Sequence, residues 1–85
     1  MKIIVFDTET TGVRVTDEVL SLAMVDGEGS VLLDRLYAPQ SHKEWPQAQQ
    51  VHHISPQDLV GMPTILSDKQ EIEALLNDED TMLVG

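Results

Sequence analysis

The chain has no cysteine, which excludes a disulfide framework, thiolate zinc ligands and a cysteine nucleophile. Positive charge is scarce: 5 Lys and Arg stand against 15 Asp and Glu in 85 residues, a formal net charge of −10. The bases, Lys2, Arg14, Arg35, Lys43 and Lys69, are scattered, so no basic stripe exists to neutralise a run of phosphates. Unaided affinity for nucleic acid is therefore expected to be weak and salt-sensitive, with metal ions or a partner needed to offset repulsion. Most of the acids read as a solvated surface that keeps the domain soluble. No apolar run approaches the ~18 residues of a membrane span. The apolar stretch before Asp7 is also too short for the core of a signal peptide. A cytoplasmic location away from membranes is the expectation. With 41% hydrophobic residues the chain is not a disordered one, and its length allows one small domain.

Residues 2–7 (KIIVFD) form a continuous apolar run ending in an acid, the pattern of a strand covered on both faces. Residues 19–26 and 30–37 alternate loosely around Gly27-Glu28-Gly29 and predict an antiparallel hairpin. Residues 40–51 are polar and Gln-rich around Trp45-Pro46, which suggests a loop and then a short helix before His52. Ser55-Pro56 has the form of an N-cap followed by proline at the first helical position, in a helix stopping near Gly61. An amphipathic helix is predicted from Ser67 or Asp68 to about Asn77, burying Ile72, Leu75 and Leu76, with Ser67 and Gln70 spaced for a capping box. Residues 81–84 (TMLV) read as a final strand. Nothing marks an internal domain boundary.

The chemistry concentrates in FDTETTG, residues 6–12. Side chains at i and i+2 of a strand share a face, so Asp7 and Glu9 project together, roughly 6–7 Å apart at the backbone. Two carboxylates at a buried strand end need compensation, and a divalent cation provides it. Mg²⁺ or Mn²⁺ takes oxygen ligands and keeps waters, leaving room for a phosphate oxygen. The carboxyl ends of strands are also where open α/β sheets bind ligands. Gly12 after two threonines suits a tight turn that brings backbone N–H groups near an anion.

VFDTETTG resembles the first motif of the DEDD-type (DnaQ-like) 3′–5′ exonucleases, a family that includes proofreading subunits of bacterial DNA polymerase III. The hairpin at 19–37 is similar to the family's second and third strands. VHHISPQDLVGMPT, residues 51–64, resembles its Val-His-Gly-Ile-Thr segment and the short helix after it. TMLVG looks like the strand leading into the second motif. The resemblance implies an α/β, ribonuclease H-like mixed sheet with three antiparallel strands and one parallel strand, and residues 1–85 as a partial, truncated exonuclease domain. It implies phosphodiester hydrolysis at a nucleic-acid 3′ end, DNA ahead of RNA, with two Mg²⁺ or Mn²⁺ ions in the complete site and a polymerase subunit as a candidate partner. Asp7 matches the carboxylate that bridges both metals, and Glu9 the one on the nucleophile-side metal. Thr10, Thr11 and Gly12 match positions around the pocket for the terminal nucleotide. His52 matches a family histidine beside it, with a packed or capping histidine as the alternative.

The family also requires two further carboxylates and a general base, which the chain ends before reaching, so the 85 residues alone are expected to be inactive or nearly so. A second reading is a non-catalytic remnant that binds a partner or itself through the exposed strand at 81–84. A third, a small metal- or nucleotide-binding domain unrelated to nucleases, leaves residues 51–64 unexplained. Other candidates have plainer explanations. His53 and Asp58 have the spacing of the family's third motif but lie before the second-motif strand. Asp78, Glu79 and Asp80 fall at the wrong end of their strand for ligand duty. Trp45, near His42 in the polar loop, is read as partly buried rather than as a stacking platform.

Overall fold

The computed structural model describes residues 2–77 and 80–85. Its framework is a sheet in which β1 (Lys2–Thr10) lies between an antiparallel neighbour, β2 (Val19–Asp26), and a parallel one, β4 (Thr81–Val84). The hairpin partner β3 (Val31–Leu36) completes the order β3-β2-β1-β4. Three antiparallel strands and one parallel strand make up the mixed sheet expected from the sequence. Gly29, with φ of 87°, closes the β2–β3 turn, and Asp26 Oδ1 accepts hydrogen bonds there from the Glu28 and Ser30 N–H groups.

β1 runs on past the apolar segment. Asp7, Thr8 and Glu9 pair with Ala23, Leu22 and Ser21, and the ladder is disturbed only between Glu9 and Thr10. Backbone hydrogen bonding to β2 therefore carries the strand where side-chain hydrophobicity has ended. Both acids thus sit within the strand.

One face of the sheet is covered and the other is open, which corrects the expectation that β1 is covered on both sides. Ile4, Leu22, Met24 and Leu33 bury themselves with Tyr37, against Ile72, Leu75 and Leu76 of α2 (Lys69–Leu76). On the opposite face Ile3, Val5, Met82 and Val84 are each at least 40% exposed. The described helical segments supply apolar contacts to the first face, so the run of apolar residues in β1 exceeds what they cover.

Polar contacts fasten α2 to β3. The Tyr37 hydroxyl donates to Asp68 Oδ2 at 2.7 Å, and Arg35 reaches Asp68 at 2.9 Å and Glu71 at 3.2 Å through its second amino group. Burial and the Asp68 carboxylate push the Tyr37 hydroxyl up to about 12. A 3₁₀ turn, Ile65–Asp68, leads into α2 and contains Ser67, whose hydroxyl donates to the Thr64 carbonyl. The expected Ser67–Gln70 capping box is absent for that reason: Ser67 lies one residue before the N-cap position, Asp68, and α2 has no side-chain cap.

A second, smaller core joins Leu20, Trp45 and Leu59. It seats α1 (Pro46–His52) and the turn Pro56–Leu59 beside the end of β1. Ser55 and Asp58 form a reciprocal capping box there, with Pro56 in the first turn as expected, but the element is a four-residue 3₁₀ helix. Gly61, at φ of 83°, follows it. Among the described residues no helix is long and apolar enough to cross a membrane.

Candidate active site

Asp7 and Glu9 lie on the open face of the sheet, as their spacing requires. Their cross-strand neighbours are Ala23 and Ser21, small side chains that leave space above the two carboxylates. Asp7 is exposed and Glu9 half-buried. Asp34 pairs with Ala23 from the far side and so shares the row of Asp7, an acid the sequence reading passed over. Two strand spacings separate them, about 10 Å, too far to share one ion.

Beyond Glu9 the chain turns outward around a cavity of about 710 Å³. Glu9, Thr10, Thr11, Gly12 and His52 all line it, so five of the six anticipated site residues meet at one place. Asp7 is outside that lining, on the sheet face behind Glu9. Thr10 donates to the Gly12 carbonyl at 2.6 Å. Buried Thr11 uses its hydroxyl twice, donating to Asp17 Oδ1 at 2.7 Å and accepting from the Glu18 N–H at 2.9 Å.

Gly12 lies in this turn with an ordinary backbone conformation. Among the described residues only Gly29 and Gly61 are glycines with positive φ, so residue 12 needs no left-handed conformation. The anion held at this turn is the chain's own: Asp17 Oδ2 accepts from the Arg14 N–H at 2.8 Å. The Thr11 hydroxyl and the Arg14 N–H, by their hydrogen bonds, hold the Asp17 carboxyl below the usual carboxylate range.

Next to it, Glu18 gathers the N–H groups of Gln40, Ser41 and His42 at 2.6, 3.2 and 3.0 Å and the His42 ring Nδ1 at 2.6 Å. Burial would raise this carboxyl, but the hydrogen bonds from the His42 backbone and ring and from Gln40 and Ser41 bring it down to about 2. The sequence reading missed this cluster. The available signal was an adjacent acid pair immediately before an apolar strand.

His52, at the C-terminal end of α1, accepts from the Ile54 N–H through Nδ1 at 3.0 Å. Its Nε2 therefore carries the hydrogen and donates to the Thr10 carbonyl at 2.9 Å. The ring pins α1 to the end of β1 while facing the cavity. His53 follows in the left-handed region at φ of 62°, as the C-cap of α1, a conformation that suits glycine. Asp58 is committed to capping Ser55, whose backbone and side chain lower its carboxyl. Trp45 is buried, with Nε1 donating to the Ile54 carbonyl at 2.7 Å, so its ring belongs to the core. Asp80 precedes β4 and its carbonyl accepts from the Lys2 N–H; Asp78 and Glu79 lie outside the described residues.

The donor set at Asp7 and Glu9 suits a hard cation held by two carboxylates, with water or phosphate oxygens in the other positions. Among the described residues, no group of three or more His, Asp or Glu could hold a metal ion.

A family model described as Exonuclease, RNase_T, matches residues 4–85. The chain belongs to the exonuclease family. Its fold is similar to Escherichia coli exonuclease I solved with a 5cy-dT13 oligonucleotide, at a TM-score of 0.78 and 20% identity, covering 99% of this chain and 20% of that one. The same enzyme with a dT13 oligonucleotide gives 0.76 and 19% identity, over 96% of this chain and 19% of that one. An exonuclease I structure titled as a complex with SSB-Ct gives 0.76 and 19% identity, with 96% and 20% covered. The chain thus spans about a fifth of the length of these exonucleases. No curated protein matches it. The family reading of VFDTETTG is borne out, and so is the mixed sheet.

Proposed function

We propose that this exonuclease-family chain supplies the first metal-binding motif and part of the nucleotide pocket of a metal-dependent 3′–5′ exonuclease. The observation that carries the reading is the placement of Glu9 on both features: it shares a sheet face with Asp7 and lines the cavity formed by Thr10, Thr11, Gly12 and His52. Asp7 and Glu9 would hold Mg²⁺ or Mn²⁺. When bound, the ions would activate the attacking water and stabilise the leaving 3′ oxygen.

The chain's own contribution is positional. The cavity receives the 3′-terminal nucleotide, and His52 keeps the end of β1 against α1 so that Glu9 stays at its rim. Single-stranded DNA is the favoured substrate. That preference rests on the fold shared with an exonuclease solved on oligo-dT. With two carboxylates and no general base positioned beside them among the described residues, residues 1–85 by themselves are expected to be nearly inactive. The chain's net charge of −10 makes the metal ions essential for approach of a polyanion.

The test is calorimetry with Mn²⁺ and thymidine monophosphate, alongside a nuclease assay on a single-stranded 3′ end. Metal-dependent nucleotide binding that Glu9→Gln abolishes, with little turnover, is expected. Binding that is indifferent to Mn²⁺ and to Glu9→Gln sinks the reading. A polymerase subunit as partner rests on family resemblance alone.

A second reading, self-association, is favoured by β4, which ends the sheet and exposes Met82, Leu83 and Val84. A monomer by light scattering at high concentration counts against it.

A further inference from the structure

We propose that His42 is a positioning residue for the nucleotide pocket, bridging Asp17 and Glu18 so that the loop of residues 11–18 stands as its wall. The assignment rests on the cavity being a nucleotide site, as proposed above. His42 Nδ1 lies 2.6 Å from Glu18 Oε2 and Nε2 lies 3.2 Å from Asp17 Oδ1. Both ring nitrogens thus face carboxylate oxygens, and both can donate only in the doubly protonated ring.

Apart from this bridge the loop is closed at its base, where the Thr11 N–H donates to the Glu18 carbonyl at 2.9 Å and the Asp17 N–H to the Arg14 carbonyl at 3.0 Å. Val13 and Val15 are fully exposed, so its tip gains no apolar contact. Its order depends on polar groups at its base: Thr11 and the Arg14 N–H on Asp17, and the Glu18 N–H on Thr11. His42 lies on the other wall of the cavity, in the segment that leads to Trp45 and α1. It is the side chain that ties one wall to the other through Asp17. Glu18 holds the same segment by three backbone N–H groups, and these survive replacement of the ring. Loss of the ring therefore releases Asp17 and the tip of the loop from the far wall, while Glu18 keeps the base of the loop against residues 40–42. The separation between Glu9 and the loop that faces it is what His42 sets.

The test compares wild type, His42→Ala and His42→Gln by Mn²⁺-dependent binding of thymidine monophosphate and by amide exchange. An amide in place of the ring reaches outward to Asp17 with one donor, so Gln is the restoring variant. Expected are about tenfold weaker binding in His42→Ala, the scale of a hydrogen bond to a charged group, and faster exchange of the Asp17 amide. The amides of β1 and β2 should be unchanged, and His42→Gln should recover most of the affinity. Equal affinity in wild type and His42→Ala overturns the assignment alone. Faster exchange throughout the sheet, with His42→Gln as weak as His42→Ala, also overturns it and leaves His42 as a general stabiliser. No binding by wild type overturns the functional reading and the assignment with it.

Discussion

The carboxylate of Asp17 rests against Gly12, so close that a β-carbon at residue 12 would fall 2.6 Å from Oδ2 and 3.0 Å from the carboxyl carbon. A free side chain would move aside cheaply, but this one is held by Thr11, by the Arg14 N–H and by His42. Gly12→Ala must therefore break that set or displace the turn. A loss of about 1–3 kcal/mol is expected, as for other overpacked sites, read by urea denaturation. Gly12→Ala in an Asp17→Ala background should cost much less, because the obstacle is gone.

Acid should weaken the fold through Glu18. Its carboxyl lies at about 2 against an ordinary 4.5, a folded-state value below the unfolded one. The stabilisation is fully present above the unfolded value and fades as pH falls from about 4.5 towards 2. Denaturation midpoints measured across that window should fall steeply in wild type and less in Glu18→Gln. The difference is at most about 3 kcal/mol.

His53 carries a side chain where the backbone turns left-handed at φ of 62°. Substitution by glycine removes the steric cost of that conformation, about 1–2 kcal/mol, against glycine's greater entropy loss of about 0.5–1 kcal/mol. A small rise in melting temperature is expected for His53→Gly, with His53→Ala no more stable than wild type.

Trp45→Phe keeps an aromatic ring in the small core but leaves the Ile54 carbonyl without its 2.7 Å donor. A cost of about 1–3 kcal/mol follows from the unpaired acceptor. Because that core seats α1, protection of the amides of residues 49–53 should decline before that of β2.

Much of this molecule could be read from residue order. Period-two spacing put Asp7 and Glu9 on one face, and the alternation of residues 19–26 drew the hairpin. Ser55-Pro56 marked a capped start, although the number of residues before Gly61 allowed only a 3₁₀ turn. Ser67 misled because the S-x-x-Q pattern is local, whereas Asp68, the residue at the N-cap, and Glu71 are held by Tyr37 and Arg35, more than thirty positions earlier. For His42, residue order showed only a place in a polar loop, since its two partners lie 24 and 25 positions earlier in the chain.

By itself the sequence determined the strand-hairpin-helix-strand order, the shared face of the two acids and the family, because these depend on short-range periodicity and on contiguous motifs. Tertiary structure alone decided which face of the sheet is covered and what Gly12 makes room for. It also decided that His52 spends both ring nitrogens on backbone groups. Such matters turn on contacts between residues far apart in the chain, and local spacing carries no information about which distant groups folding brings within hydrogen-bonding reach.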